Sequence, residues 1–201
     1  IAGTGVVGVV RGRQPATGSA SRSIALRADM DALPREEEHH FEHRSQHAGR
    51  MHACGHDGHT TMLLAAAKHL AATRNFAGTV HLIFQPAEEM GKAGAKKMIE
   101  DGLFDRFPCD AVFALHNFAL DRVGAFALNH GPLMASSNTY RITLTGRGTH
   151  ASLPHTGLDP VAATIDLAQQ LQTLVARHVD SRERALLAVT QIQGSDAPNV
   201  I

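Results

Sequence analysis

The run MHACGHDGH, at residues 51–59, holds the most chemically versatile side chains of the sequence. Within eight residues, five of them can bind a metal ion: His52, Cys54, His56, Asp57 and His59. The glycines at positions 55 and 58 permit a tight loop that brings such side chains together. Because a mixed set of thiolate, imidazole and carboxylate ligands suits zinc or manganese, the run predicts a metal site.

Further acidic and histidine side chains follow three predicted strands. Asp29 and Asp31 follow residues 24–27, Glu88 and Glu89 follow residues 79–84, and His116 ends the strand at 111–115. Taken singly, a glutamate pair after a strand is an ordinary surface feature, and a strand-end histidine is ordinarily a structural residue. In an open parallel sheet, however, ligands bind along the edge where the strands have their carboxyl ends. We therefore expect these segments to converge with the run at 51–59.

Several metal and nucleophile chemistries fit this sequence poorly. It lacks the HExxH motif of zincins, and the segment His40-Phe41-Glu42 starts a nucleoside-deaminase signature that no PCxxC completes. Cys54 as a nucleophile would need an unusual bend for His56, two residues away, to act as its base. Adjacent Glu88 and Glu89 instead allow one carboxylate to bind a metal while the other takes a proton from water. This layout is typical of metal-assisted hydrolysis.

The elements that must position these residues alternate short apolar runs with longer helical patterns. Predicted strands cover residues 5–10, 24–27, 79–84 and 111–115, and predicted helices cover 58–73 and 93–101. Such alternation indicates βαβ units in an α/β fold with a mostly parallel sheet.

The pattern changes after about Gly131. Residues 139–145 alternate apolar and polar side chains, residues 160–178 form a long amphipathic helix, and residues 186–192 are a second strand-like run. We therefore predict a small α+β domain, and place the two domains at residues 1–133 and 134–201.

Composition narrows the partners and the compartment. Lys plus Arg and Asp plus Glu number 19 each, and no basic run stands out, so nucleic acid is a poor candidate partner. No apolar stretch approaches the roughly 18 residues that span a bilayer. Cys54 and Cys109 are too few for a disulfide framework, which favours a cytoplasmic location. The polar run at 36–47 contributes several of the 14 histidines and is predicted to be a solvated loop.

Five collinear motifs carry a family resemblance. They are RADMDALP at 27–34, MHACGHDGHTTMLLAAA at 51–67, GTVHLIFQPAEE at 78–89, GAKKMIEDGLF at 94–104 and FALHN at 113–117. Together they resemble the N-acyl-amino-acid amidohydrolases, a group that includes hippurate hydrolase and auxin-conjugate hydrolases and is related to aminoacylases and carboxypeptidase G.

The resemblance implies a zinc-peptidase-like catalytic domain followed by a ferredoxin-like lid and dimerisation domain. It implies metal-dependent hydrolysis of the amide bond of a small N-acyl amino acid, by a homodimer joined through the lid. The cofactor would be two divalent ions, for which Mn or Zn, and also Co or Ni, suit the ligands.

The resemblance also assigns roles to individual residues. It implies that the metals are held by Cys54, His56, Glu89 and His116. Glu88 would be the general base, and Asp31 would support the metal site from behind the ligands. In the motif GRGTHASLPH at 146–155, His150 would reach the partner subunit's active site and steady the oxyanion, and Asn199 would bind substrate. From the residues alone, His150 and Asn199 are ordinary turn residues.

The resemblance further predicts that this chain is an internal segment of a longer protein. The first residues, IAGTGVVGVVRG, contain no initiating Met and no signal peptide, and the family's last metal ligand, a histidine, would lie beyond Ile201. Both domains and the metal shell would then be incomplete. The alternative function is that of a truncated, inactive homologue that only binds a metal or ligand.

Overall fold

The computed structural model describes residues 1–15, 22–119, 121–194 and 197–201. The chain forms two compact units, Ile1–Phe126 and Ala127–Ile201. The predicted domain boundary after residue 133 stays a prediction.

A four-stranded sheet forms the centre of the first unit. Its strands are β1 (Val6–Arg11), β2 (Ser23–Asp29), β3 (Thr79–Gln85) and β4 (Ala111–Ala114), in the order β1-β3-β2-β4. β2 runs parallel to both β3 and β4, while β1 is antiparallel to β3. The predicted α/β fold with a mostly parallel sheet is confirmed, and the antiparallel edge strand makes the sheet mixed.

Helices cover both faces of this sheet. They are α1 (His56–Thr73), α2 (Gly94–Glu100) and the single turn α3 (Leu103–Arg106). Leu63 of α1 packs on one face, where Val10 and Leu82 are buried, and Met98 of α2 packs on the other, against Ala25 and Ile83. None of the helices that the structure describes has the length and apolar composition needed to cross a membrane.

The first turn of α1 differs from the sequence prediction. The helix begins at His56 rather than at residue 58, because Gly55 adopts a left-handed conformation (φ 97°) that turns the chain directly into it. His56 and His59 consequently lie in the same helical turn, and both side chains are buried. This early start places two imidazoles at the sheet edge.

Residues 36–47 contain no helix or strand, as predicted, and most of them are exposed. An isolated bridge between Leu33 and Met51 closes the base of this loop. The loop therefore leaves the sheet just after Asp31 and returns just before Cys54.

The second unit contains α4 (Pro160–His178), whose predicted bounds are confirmed. The Asp159 side chain accepts hydrogen bonds from the Val161 and Ala162 amides at 2.8 and 3.0 Å, which caps the helix. The predicted strands at 139–145 and 186–192 are wrong, because in the described part of this unit the only β pairings are isolated bridges. Alternating side chains favour an extended chain, but a strand also needs a hydrogen-bonded neighbour. The described residues form no such sheet, and the ferredoxin-like lid domain stays a prediction.

Gly94 provides a test of the packing between α2 and the segment that follows β3. A Cβ at this position would overlap the Pro86 carbonyl oxygen and lie 2.9 Å from that of Ala87. Gly94→Ala should lower the free energy of unfolding by about 1–3 kcal/mol, measured by urea denaturation. Gly8→Ala is the control, since its Cβ meets Leu82 at an ordinary 3.5 Å. Equal stability of the two variants would contradict this packing.

Candidate metal centre

The candidate site lies at one edge of the sheet, where β2, β3 and β4 have their carboxyl ends. Because the three strands are parallel, the residues just beyond them emerge side by side. Asp31 follows β2, the Glu88–Glu89 pair follows β3, and His116 follows β4. The amino end of α1, which carries His56, starts at the same edge. The structure therefore brings the four predicted segments together.

Among the described residues, two groups of three donor atoms consist entirely of predicted site residues, and the atoms of each group lie within 4.8 Å of one another. One consists of Cys54, His56 and His116, and the other of His56, Glu88 and Glu89. Cys54 Sγ lies 3.7 Å from His116 Nε2, and His56 Nε2 lies 3.8 Å from Glu89 Oε1. Ligand atoms that are each about 2.0–2.3 Å from one ion lie roughly 3–4 Å apart, so both spacings suit a shared cation.

His56 gives the clearest indication that a cation fits. Its side chain is 1% exposed, and Nδ1 lies 2.9 Å from the Asp31 carbonyl oxygen. Because a carbonyl only accepts, Nδ1 carries the proton and Nε2 keeps its lone pair. Among the described residues, Nε2 has no hydrogen-bond partner. A buried acceptor without a partner is costly, and a divalent ion at this edge would satisfy it.

The negative charges around Cys54 also favour a bound cation. Burial raises the pKa of the thiol to about 11, assisted by its hydrogen bond to Glu89 and by the negative charges of Glu89, Glu88 and Asp29. Without a cation the thiol is neutral at pH 7. A bound divalent ion would oppose these negative charges and stabilise the thiolate.

Asp31 joins the two loops that carry the donors. Its Oδ1 accepts from the Glu88 amide at 3.1 Å, and its Oδ2 accepts from the Glu89 amide at 3.0 Å. Its carbonyl oxygen accepts from His56. Asp31 itself belongs to none of the donor groups. Asp31 therefore contacts both the helix that carries His56 and the segment that carries the two glutamates.

Asp29 and His59 are buried at this edge; the sequence places both among the side chains able to bind a metal but assigns neither a role. Together with His56 they form a third donor group. The signal for His59 was its position three residues after His56, which places both on one helix face once α1 begins at His56. His52 and Asp57, from the same run, are exposed and lie outside these groups.

The remaining predicted residues, His150 and Asn199, belong to the second unit. His150 Nδ1 lies 2.8 Å from Ser152 Oγ, and the Ala151 amide donates to the Asn199 carbonyl oxygen at 3.1 Å. An isolated bridge also pairs His150 with Val200. The two residues therefore lie close to each other within that unit.

Two curated proteins illustrate what the sequence is similar to. Hippurate hydrolase of Campylobacter jejuni is 47% identical over 198 residues, which are 98% of this chain and 50% of that protein. N-acetyl-L-cysteine deacetylase of Bacillus subtilis is 47% identical over 184 residues, 91% of this chain and 44% of that protein. The chain thus spans about half the length of the curated relatives it matches.

A solved structure agrees with these relatives. The crystal structure of a dinuclear metal-binding peptidase of the M20 family from Bacillus subtilis superimposes with a TM-score of 0.62 at 37% identity, covering 85% of this chain and 43% of that one. Residues 25–197 match the sequence model of peptidase family M20/M25/M40. That match includes the four segments gathered at the sheet edge, and the chain therefore belongs to peptidase family M20/M25/M40.

Proposed function

We propose that the whole protein hydrolyses the amide bond of N-acyl amino acids, releasing a carboxylic acid and a free amino acid. The observation that carries the proposal is the unpaired Nε2 of buried His56, which faces both glutamates at the sheet edge. The names of the two curated relatives support the substrate class, since hippurate and N-acetyl-L-cysteine are both N-acyl amino acids.

The donor set supports a centre of two divalent ions, as in the dinuclear peptidase from Bacillus subtilis. We assign Cys54, His56, Glu89 and His116 as its ligands from this chain. Mn or Zn suits this mixture of sulfur, nitrogen and oxygen, and Co or Ni also does. Bound there, the ions would polarise the substrate carbonyl and lower the pKa of water.

The two glutamates differ in a way that supports a division of labour. The Glu89 side chain is 20% exposed, whereas that of Glu88 is 45% exposed and so more open to an approaching substrate. We assign Glu88 as the general base, which takes a proton from the attacking water and passes it to the nitrogen of the leaving amine. Asp31 holds the Glu88 and Glu89 amides, so it fixes where both carboxylates project.

The second unit supplies the remaining roles in this proposal. His150 would donate a hydrogen bond to the oxyanion that develops on the substrate, and would do so in the partner subunit of a homodimer. Asn199 would bind the substrate. Both roles rest on the GRGTHASLPH motif and on the closeness of His150 and Asn199 in the structure.

Glu88→Gln tests the general base. In the full-length protein, the rate of hydrolysis of N-benzoylglycine or N-acetylcysteine should fall by about 10²–10⁴-fold, because the amide cannot accept a proton. Metal content, measured by elemental analysis, should stay unchanged. The control is Glu42→Gln, an exposed glutamate of the 36–47 loop, which should keep the wild-type rate. Near-normal turnover by Glu88→Gln would remove this residue from the mechanism.

His56→Ala tests the metal centre. In the wild-type protein, divalent metal should raise the midpoint of thermal unfolding, since an ion at 100 times its Kd stabilises by about 2.7 kcal/mol. The variant lacks the donor shared by both groups, so added metal should produce little shift. His69→Ala removes an exposed histidine from the same helix and should respond like the wild type. If His56→Ala and the wild type bind equal amounts of metal, this site is not the metal centre.

A further inference from the structure

We infer that Asp29, His59 and Asn117 form a clamp that positions the metal ligands, with His59 as a positioning residue and not a ligand. The inference rests on the proposed function, because it concerns the geometry in which Cys54, His56 and His116 meet an ion. Asp29, His59 and Asn117 are named here the His59 clamp. They come from β2, α1 and the segment after β4, respectively.

Both ring nitrogens of His59 are already engaged. The residue is 2% exposed, with Nδ1 at 2.6 Å from Asp29 Oδ1 and Nε2 at 2.9 Å from the Asn117 backbone nitrogen. A backbone amide can only donate, so Nε2 is the acceptor and Nδ1 carries the proton that it donates to Asp29. His59 therefore has no lone pair left for a metal, although its atoms lie close enough to His56 to form a donor group.

Asp29 is a fixed anchor for this ring. Its Oδ2 accepts from the Arg27 guanidinium at 2.8 Å, and Arg27 Nε donates to Gln85 Oε1 at 2.8 Å. Held in this way, the carboxylate fixes the His59 ring in one orientation through its 2.6 Å contact with Nδ1.

The clamp acts on His116 through the next residue. The Asn117 amide is bound to His59, and the Asn117 carbonyl oxygen lies 2.7 Å from His116 Nδ1. Since that carbonyl only accepts, His116 Nδ1 carries the proton and Nε2 keeps its lone pair, which faces Cys54 Sγ at 3.7 Å. The His59 and His116 rings also meet edge to face, with centroids 4.6 Å apart. His59 thereby sets the donor atom that His116 offers.

The same clamp reaches the loop that carries the other two ligands. The Asn117 side chain fills the space that a Cβ on Gly55 would need, and Gly55 lies between Cys54 and His56. Asn117 Oδ1 also lies 2.9 Å from His59 Nε2, so this nitrogen is engaged by Asn117 whether it accepts from the backbone amide or is protonated and donates to the side-chain oxygen. Cys54, His56 and His116, which are up to 62 residues apart, are thus held by one cluster of contacts.

Two variants of His59 separate the ends of the clamp. The amide of Gln at this position reaches as far as Nε2 and can still accept from Asn117, whereas the amide of Asn reaches only as far as Nδ1 and leaves the Asn117 amide without a partner. Partners of metal ligands typically affect metal affinity by about 10–100-fold. We expect His59→Asn to weaken Co²⁺ binding by about 10–100-fold and to shift the thiolate-to-cobalt absorption, with a smaller change in His59→Gln.

The experiment is a Co²⁺ titration of the full-length protein, with affinity and absorption spectrum as readouts independent of activity. His81→Gln is the matched control, because His81 is also a buried histidine of this unit, is 6% exposed and contacts Pro108. It should lower stability but leave the Co²⁺ affinity and the spectrum unchanged. Asn117→Ala, at an exposed position, removes only the side chain and should weaken Co²⁺ binding even where His59→Asn does not fold.

The outcomes distinguish the two proposals. If the wild-type protein binds Co²⁺ but His59→Asn and Asn117→Ala bind it with equal affinity and an unchanged spectrum, the clamp is wrong and the metal centre stands. If both His59 variants lose one whole equivalent of Co²⁺, His59 is a ligand and the clamp is again wrong. If the wild type binds no divalent ion, the proposed function fails and the clamp fails with it.

Discussion

The parallel pairing of β2 with β3 and β4 is the constraint on which the candidate site depends. Asp29 at the end of β2 lies opposite Gln85 at the end of β3, and Arg27 lies opposite Ala114 at the end of β4. The segments that follow these three strands therefore all start at the same edge of the sheet. A parallel sheet must be covered on both faces, and α1 and α2 both begin at that edge. The packing that buries Leu63 of α1 against the sheet also places His56, the first residue of that helix, at this edge.

Charge compensation separates the groups at this edge into two kinds. Asp29 is neutralised by Arg27 and bound by His59, and Asp31 accepts the amides of both glutamates. These carboxylates are satisfied by the protein and form its framework. His56 Nε2 has no such partner in the described residues, and burial, assisted by the surrounding acids, raises the pKa of the Cys54 thiol and keeps it neutral. The atoms left over at this edge are ones that a divalent cation would satisfy.

The second unit is held differently from the first. None of its described residues is fully buried, and α4 relies on its Asp159 cap and on partial burial of one face. Since helical stability in proteins comes largely from packing, the unit has few interactions of its own to define a sheet. Its family motif nevertheless draws His150 and Asn199 together through the Ala151 backbone. The family match over residues 25–197 includes residues of both units.

Much of the local structure could be predicted from the sequence. The sequence predicts the four strands of the sheet to within two residues and the bounds of α4, and it points to the donors Cys54, His56, Glu88, Glu89 and His116. These features are encoded locally, because side-chain periodicity and strand-end position are properties of neighbouring residues. Neighbouring residues do not indicate which of Glu88 and Glu89 binds the metal and which is the general base. That assignment comes from the family resemblance.

Only the tertiary structure decided the pairings. It set β1 antiparallel, left residues 139–145 and 186–192 without strand partners, and joined Asp29, His59 and Asn117 into one cluster. Hydrogen bonds between residues so far apart depend on which elements become neighbours, and no periodicity of a single segment contains that information. The sequence by itself determined which donor types are present and on which elements they lie. Folding decided which of these nitrogens are hydrogen-bonded within the protein and which are left without a partner among the described residues.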